Sequence, residues 1–196
     1  MESVNADMSV ANHPETELIA SARSGDMGAF AQLVSLHRLR VLRTAAGIVG
    51  SVHEAEDVAQ LVFLRIWDHL DDYDPAGSFT SWLYRITVNL SIDTLRRRRY
   101  EVELAEELQA GARSDPEALA LREDERRRVR RAVAQLPDKT RAALILREYE
   151  QLSYKEIAEA LRIPIGTVMS RLNYARCYLR RLLREEQDEQ HEASEP

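Results

Sequence analysis

The stretch from residue 152 to residue 176 limits the fold more than any other part of this chain. Ser153 and Glu156 have the S-x-x-E spacing of a capping box, which predicts a helix beginning at Tyr154. Pro164 disfavours helical angles at the residue before it and is expected to end that helix. A second amphipathic segment follows within a few residues. The cap, the short break and the second segment together predict a helix-turn-helix.

The second segment of this pattern has one apolar side and one polar side. Its apolar residues recur at helical spacing, at Val168, Leu172, Ala175 and Leu179. The candidate DNA contacts are the expected helix cap and the outward or flanking residues, namely Thr167, Met169, Ser170, Arg171, Asn173, Tyr174 and Arg176. A buried stripe with outward hydrogen-bonding groups and flanking cations is what reading a major groove and holding phosphates require. The alternative is two surface helices of an ordinary bundle.

The composition limits the class of protein. The chain has 196 residues, enough for one medium domain or two small ones. Its single cysteine, Cys177, excludes an intrachain disulfide and a thiolate zinc cluster, which suits a reducing cytoplasm. No run of about 18 apolar residues exists, so we expect no membrane insertion. The net charge is −6, but basic residues cluster at 96–99, 126–131 and 171–184, where they can bind phosphates locally.

The rest of the chain is patterned almost entirely as helices. Glycine and proline are sparse and no strand-like alternation persists, which predicts an all-α fold of two small helical domains joined by a flexible linker. The expected divisions are a disordered tail at 1–14, a first domain at 15–99, a linker at 100–115, a second domain at 116–184 and an acidic tail at 185–196. Pro116 is expected to open the first helix of the second domain, with Asp115 as its cap.

The segment 54–68 is predicted to be a helix with two unlike sides. One side is apolar and should lie in the core, at Ala55, Ala59, Val62, Phe63 and Ile66. The opposite side, called here the α3 ridge, mixes carboxylates with leucines at Glu54, Asp57, Gln60, Leu61, Leu64 and Asp68. The mixture indicates a docking surface for a basic, partly apolar helix of a partner protein. A second buried side in a tight bundle fits the same pattern, since single exposed leucines are common.

A loop over 71–78 precedes a segment rich in aromatic residues and arginines. Aromatic side chains interleaved with cations provide stacking surfaces and phosphate clamps for single-stranded nucleic acid. The aromatic residues are Tyr73, Phe79, Trp82 and Tyr84, followed by Arg85 and the cluster 96–99. The spacing of Phe79, Trp82 and Ile86 also fits a buried helical face, and Trp82 is the most ambiguous of these residues.

Two other classes of protein remain open from these patterns. A stand-alone helix-turn-helix repressor or activator would explain the segment 152–176, but neither the α3 ridge nor the aromatic loop. An enzyme has the least support, because the five histidines are scattered and no HExxH, glycine-rich phosphate loop or Ser-His-Asp pattern is present. Asp71, Asp72 and Asp74 fit a turn better than a calcium loop. We therefore expect no catalytic residue, no metal and no cofactor.

Taken in order, three segments resemble the bacterial sigma factors of the extracytoplasmic-function (ECF) group, group 4. They read AEDVAQLVFLRIW, then FTSWLYRITVN followed by LRRR, then LPDKTRAALILREYEQLSYKEIAEALRIPIGTVMSRLNYAR. The resemblance covers about Glu17–Arg99 and Pro116–Leu183. It implies a sigma domain 2 helical bundle and a sigma domain 4 helix-turn-helix. It also implies a cytoplasmic bacterial protein that directs core RNA polymerase to promoter DNA.

The resemblance also implies roles for the candidate residues. The α3 ridge would bind the clamp coiled coil of the polymerase β′ subunit through Asp57, Gln60, Leu61 and Leu64. The loop and the helix after it would capture an unstacked base of the −10 element and hold nearby DNA through Asp74, Gly77, Ser78, Phe79, Trp82, Asn89, Arg96 and Arg97. The helix-turn-helix residues named above would read the −35 element. The β flap of the polymerase and an anti-sigma factor are the other expected partners.

Two further expectations concern the linker and the turn of the helix-turn-helix. A linker of about 16 residues extends to at most ~55 Å, whereas one turn of duplex spans ~34 Å. The two domains can therefore contact promoter sites more than one turn apart. Arg162 stands where relatives often have glycine, so a positive φ at this position would place a small strain in the turn.

Overall fold

The computed structural model describes the backbone of residues 13–108 and 121–192, and within these ranges the chain is helical apart from short turns. The described residues form eight α-helices. They are α1 (His13–Arg23), α2 (Met27–Val49), α3 (Val52–Asp68), α4 (Phe79–Leu108), α5 (Leu121–Ala134), α6 (Asp138–Glu148), α7 (Tyr154–Leu161) and α8 (Ile165–Glu192). One 3₁₀ turn, Leu70–Asp72, lies between α3 and α4. The predicted all-α fold is confirmed.

Helices α1–α4 form a bundle around the apolar faces of α2, α3 and α4. Asp26 begins α2 by accepting hydrogen bonds from the backbone N–H groups of Gly28 (2.8 Å) and Ala29 (3.1 Å). Ser51 begins α3 by accepting the N–H of Glu54. Caps of this kind contribute about 1 kcal/mol each. The apolar side predicted for α3 lies in this core, with Ala55, Ala59, Val62 and Ile66 buried and Phe63 half-buried.

Helices α5–α8 form the second domain, and the predicted capping box is present at the start of α7. The Ser153 hydroxyl accepts the N–H of Glu156 (3.2 Å), and the Glu156 carboxylate accepts the N–H of Ser153 (2.7 Å). These bonds to Ser153 lower the pKa of Glu156. Arg162 follows α7 with a φ of 51°, so the strain expected at this turn is present. The inner faces of α7 and α8 are buried at Ile157, Ala158, Val168, Leu172 and Ala175.

The structure differs from the expected boundaries at three places. Helix α4 continues to Leu108, so residues 100–108 are helical and do not belong to a linker. Helix α8 begins at Ile165, so Thr167 is not its cap. Pro164 lies before the helix instead, and its carbonyl accepts the N–H groups of Thr167 (2.9 Å) and Val168 (3.2 Å). Helix α8 also continues to Glu192, through much of the expected acidic tail.

Several expected features lie wholly or partly outside the described residues. These are most of the N-terminal tail (1–12), the remainder of the linker with the Asp115–Pro116 helix start (109–120), and the last four residues (193–196). His13 and Pro14, which were expected to belong to the tail, are the first residues of α1.

The two domains pack directly against each other, which the sequence did not lead us to expect. Helix α6 lies against the C-terminal end of α2, and α7 lies against α4. Buried Arg141 of α6 donates a hydrogen bond to the carbonyl of Ile48 in α2 (2.7 Å). A Cβ atom at Gly47 would lie 2.8 Å from Cδ1 of Ile145, closer than such atoms approach in proteins. Glycine at this position therefore lets α2 and α6 approach closely, and a larger residue would require the side chains of Ile145 and Tyr149 to shift.

Candidate polymerase and nucleic-acid interfaces

The α3 ridge faces solvent along most of its length. The side chains of Leu61 and Leu64 are 41% and 60% exposed, and Asp57 and Gln60 are also exposed. The alternative expectation of a second buried side is therefore wrong. Glu54 differs from the other members because it is half-buried and pairs with Arg98 of α4 at 3.0 Å. The free part of the ridge therefore begins at Asp57.

An apolar groove runs beside the α3 ridge, between α2 and α3. Its volume is about 760 Å³, and its lining includes Phe30, Leu42, Leu64 and Trp67. The rings of Phe30 and Trp67 pack at a centroid distance of 4.8 Å and form one end of the groove. Glu56 also borders it. Arg38 lines the groove as well, so its edge carries one charge of each sign. A mainly hydrophobic groove of this kind suits the apolar face of an amphipathic helix.

The loop between α3 and α4 is held in one shape by its own polar groups. The Tyr73 hydroxyl donates to the carbonyl of Gly77 (2.8 Å), and the N–H of Gly77 donates to the carbonyl of Asp74 (2.9 Å). The Asp74 carboxylate accepts the N–H of Ala76 (2.9 Å). Burial, and then the charges of Glu15 and Asp74, raise the pKa of Tyr73, so its hydroxyl remains a donor. Asp74 is therefore a turn residue whose side chain helps to shape the loop.

Phe79 does not form the exposed wall of this loop. Its side chain is only 6% exposed, and it packs behind the loop against His37, Tyr73 and Trp82 at centroid distances of 5.4, 5.5 and 5.8 Å. Its spacing therefore reflects the helical core, which was the alternative interpretation. Trp82 is half-buried and borders open space, so it is the aromatic residue able to contact a base.

Two neighbouring cavities, here called the loop cavities, open beside the loop with volumes of about 260 and 480 Å³. Asp74, Gly77 and Ser78 line the smaller cavity, and Asn89 lines the larger one. Trp82 and Arg85 line both cavities, as does Arg162 of the helix-turn-helix, while Glu159 lines the smaller one. The structure thus brings most of the predicted loop residues to one surface.

Arg85, which the sequence groups with the aromatic residues as a candidate phosphate-binding cation, was not assigned to the −10 element, yet it lines both loop cavities. It lies one helical turn before Asn89, and residues four apart share a helix face, so their spacing carried the signal. Burial, and then the charge of Arg162, lower the pKa of Arg85. Two cations therefore face each other where the second domain meets the loop cavities.

The arginine cluster 96–99 is largely engaged within the protein. Exposed Arg96 pairs with Asp93 at 3.5 Å, and Arg98 pairs with Glu54. Arg99 pairs with Asp138 at the start of α6 and so links the two domains. Arg97 is exposed. Exposed ion pairs contribute only about 0.2–1 kcal/mol, so Arg96 can exchange its partner for a phosphate at small cost.

Most candidate residues of α8 are exposed. Met169, Ser170, Asn173, Tyr174 and Arg176 face solvent, whereas Thr167 and Arg171 are half-buried. The Ser170 hydroxyl donates to the carbonyl of Thr167 (3.0 Å), and Tyr174 stacks on Tyr178 at a centroid distance of 5.9 Å. Arg176 pairs with Glu148 at 3.4 Å, which ties the helix to α6. The outward face therefore combines apolar contacts with the amide of Asn173.

Within residues 13–108 and 121–192, none of the helices is both long enough and apolar enough to cross a membrane. No group of three or more His, Cys, Asp or Glu side chains in the described part of the chain could hold a metal ion.

Comparison with known proteins identifies the family. A family model described as Sigma-70 region 2 matches residues 33–100, and one described as Sigma-70, region 4 matches residues 126–176. The ECF RNA polymerase sigma factor SigW of Bacillus subtilis (strain 168) is 34% identical over 179 residues, which are 85% of this chain and 95% of that protein. The chain belongs to the ECF family of RNA polymerase sigma factors. As a sigma factor, it binds core RNA polymerase and directs promoter-specific transcription initiation.

Solved structures agree with this assignment. The structure of CnrH in complex with the cytosolic domain of CnrY is 29% identical, with a TM-score of 0.67, and covers 88% of this sigma factor and 98% of that chain. The sigma factor RpoE from Bartonella quintana, in complex with the anti-sigma factor NepR, is 25% identical, with a TM-score of 0.63, and covers 79% and 96%. Because the similarity includes both domains, a stand-alone repressor or activator is not favoured. The relatives are sigma factors, which are not enzymes.

Proposed function

We propose that this ECF sigma factor, a member of group 4, binds the clamp coiled coil of the polymerase β′ subunit through the α3 ridge. The contacts would come from Asp57, Gln60, Leu61 and Leu64. One observation carries this assignment, namely that two exposed leucines lie beside a carboxylate on one ridge, next to an apolar groove. Exposed apolar patches bordered by polar groups are typical of protein interfaces.

We infer that each domain reads one promoter element. The first domain, residues 15–99, would contact the −10 element through Asp74, Gly77, Ser78, Trp82, Asn89, Arg96 and Arg97, with Phe79 supporting the loop from behind. The second domain, residues 116–184, would read the −35 element through Met169, Ser170, Asn173 and Tyr174, with Thr167, Arg171 and Arg176 near the backbone, and would contact the β flap. The loop cavities support the −10 assignment because they place Trp82 and Asn89 on one surface.

We further propose that the protein acts in the bacterial cytoplasm and is controlled by an anti-sigma factor. The support comes from a relative, since RpoE of Bartonella quintana is described in complex with the anti-sigma factor NepR. The proposed function needs no catalytic residue, metal or cofactor, because promoter recognition and strand opening are binding processes.

The polymerase assignment is tested by the substitution Asp57→Arg. Reversing one charge on the α3 ridge should weaken binding to core polymerase roughly tenfold, which corresponds to about 1.4 kcal/mol. Binding is measured by titrating core polymerase into the labelled protein, and helix content is checked by circular dichroism. Glu101→Arg is the matched control, because Glu101 is exposed in the same bundle but lies off the ridge. Equal affinities of the two variants would reject the assignment.

A further inference from the structure

Two tyrosines of α8 stack on each other at its outward face. The rings of Tyr174 and Tyr178 lie at a centroid distance of 5.9 Å, and their planes are 17° from parallel. Residues four apart share a helix face, so the two side chains follow one line along α8. Tyr174 is 49% exposed, whereas Tyr178 is half-buried. The tyrosine pair therefore has an exposed member nearer the start of the helix and a partly covered member behind it.

Tyr178 is fixed by two contacts besides the stack. Its hydroxyl donates a hydrogen bond to the side-chain oxygen of Gln135, which follows the end of α5 (3.1 Å). The guanidinium carbon of Arg181 lies 5.6 Å from the centre of the same ring, within the range of a cation–π contact. A ring held at its hydroxyl and at its face has little freedom left to lose when DNA binds. Tyr178 is therefore a preorganised support against which the Tyr174 ring rests.

The chemistry of Tyr174 selects one kind of base contact. The stack covers part of one face of its ring and leaves the remaining carbon surface open to solvent. Guanine and adenine are read in the major groove by paired hydrogen bonds from Arg, Lys, Asn or Gln, which a tyrosine cannot make. Thymine instead presents a methyl group there, and apolar side chains contact it. An exposed aromatic ring on a helix that reads a major groove therefore suits thymine best.

The neighbouring side chains support this assignment. Ser170 lies one helical turn before Tyr174, and its hydroxyl donates to the carbonyl of Thr167 (3.0 Å), so Ser170 is engaged within α8. Asn173 is exposed on the adjoining line of α8 and carries the amide that suits adenine. The outward face thus offers hydrogen bonds at Asn173 and carbon surface at Tyr174. Two chemistries side by side can distinguish two different bases.

We propose that Tyr174 is a specificity-determining residue that contacts the 5-methyl group of one thymine in the −35 element. Tyr178 is a positioning residue, which holds the Tyr174 ring through the stack and is itself fixed by Gln135. The inference rests on the proposed assignment of α8 to the −35 element and names the chemical group that is recognised. Tyr178 and Gln135 lie outside the candidate residues predicted from the sequence, and their role depends on the packing of α5 against α8.

Replacing thymine with deoxyuridine tests the contact, because the two bases differ only by this methyl group. Holoenzyme made from core polymerase and the full chain first selects a −35 sequence from a randomised promoter library. Each thymine of that sequence is then replaced in turn, and binding is measured by competition. Wild-type holoenzyme should lose about fourfold in affinity at the contacted position, which corresponds to the roughly 0.8 kcal/mol of burying one carbon group. Tyr174→Ala should bind both bases equally there, whereas the control Tyr100→Ala, at an exposed position of α4, should respond like wild type.

Conservative variants separate the ring from its hydroxyl and test the support. Tyr174→Phe keeps the ring and should keep the fourfold response to deoxyuridine. Tyr178→Ala should reduce that response below about twofold, because the Tyr174 ring loses its fixed position. Tyr178→Phe and Gln135→Ala remove the same hydrogen bond, so each should cause the same smaller reduction and the double variant no further one. Circular dichroism checks that helix content is unchanged, and a full response in Tyr178→Ala would reject the positioning role.

The outcomes distinguish this inference from the proposed function. A wild-type holoenzyme that selects no −35 sequence would overturn the assignment of α8 and the inference together. A selected sequence without thymine, or one whose response to deoxyuridine is the same in wild type and Tyr174→Ala, would leave the −35 assignment intact and overturn the inference alone. Equal losses of affinity in Tyr174→Phe and Tyr174→Ala, with the deoxyuridine response retained in both, would show that the hydroxyl contacts a phosphate and would also overturn it.

Discussion

The loop cavities and the outward face of α8 are both proposed to bind DNA, but they differ in their exposure and in the residues that border them. The residues of α8 that face outward are exposed, and their hydrogen bonds lie within α8 or reach α6 and α7 of the same domain. The surface around Trp82 is instead shared with Glu159 and Arg162 of the other domain. The outward face of α8 is open to solvent, whereas the surface around Trp82 is bordered by residues of the other domain.

This difference separates two steps of promoter recognition. Reading base edges in an intact duplex needs a preformed helix face, and α8 provides one. Holding an unstacked base requires an aromatic surface, which is useful only when strands separate. The two proposed surfaces would therefore serve different states of the promoter, one the intact duplex and the other the separated strands.

The largest expected effect comes from replacing loop residues 71–78 with a Gly-Ser segment of equal length. The replacement removes the Tyr73 brace on Gly77 and the Asp74 turn. A base stacked on an aromatic contributes about 1–3 kcal/mol, so open complexes should lose permanganate-reactive thymines and −10 preference. The −35 preference selected in the same experiment is the internal control. If bubble formation and −10 preference both survive the replacement, the loop only connects α3 to α4 and does not bind the base.

A smaller effect should distinguish two residues of α8. Asn173→Ala should relax one position of the −35 element at a cost of about 1–3 kcal/mol. Arg176→Ala should weaken binding to all sequences and flatten the salt dependence, because a phosphate contact carries no sequence information. Sequence selection followed by salt titration measures both effects. An unchanged −35 preference in Asn173→Ala would mean that α8 enters the groove in another register.

The smallest effect concerns Arg162 (51°) and Gln151 (55°), the two non-glycine residues in the described part of the chain that have a positive φ. Replacing either with glycine should stabilise the protein by about 1 kcal/mol, because this conformation strains other side chains. Thermal unfolding measures the gain. Only Arg162→Gly should also change −10 strand binding, since Gln151 is not among the residues lining the loop cavities. Identical effects of both variants on strand binding would break the contrast between the two surfaces.

Local patterns in the sequence predicted local features well. The capping box at Ser153 and the apolar face of α3 each depend on residues a few positions apart. The strain at Arg162 was instead expected from the resemblance, because relatives often have glycine there. Thr167 was wrongly expected to cap α8, because Ser, Thr and Pro all occur at helix starts. The carbonyl of Pro164 is the first acceptor instead. Phe79 fitted both a core and a surface position, and only packing against His37 decides between them.

The packing of the two domains could not be predicted in this way. The Tyr84 hydroxyl of the first domain donates a hydrogen bond to the Glu150 carboxylate of the second (2.6 Å). The two residues are 66 positions apart, and neither lies in a pattern that marks it as a partner of the other. An isolated glutamate between two helices normally indicates a solvated loop. The same limit explains why Arg162 was not assigned to the loop cavities, since it reaches Arg85 only where the two domains meet.

Gly47 marks the contact between the two domains in the sequence itself. It lies in the last turn of α2, where a Cβ atom would meet the side chains of Ile145 at 2.8 Å and Tyr149 at 3.1 Å. The reason for the glycine therefore lies in a second domain about one hundred residues later. A related sequence with a larger residue at this position would need smaller or displaced partners on α6 to keep the two helices equally close.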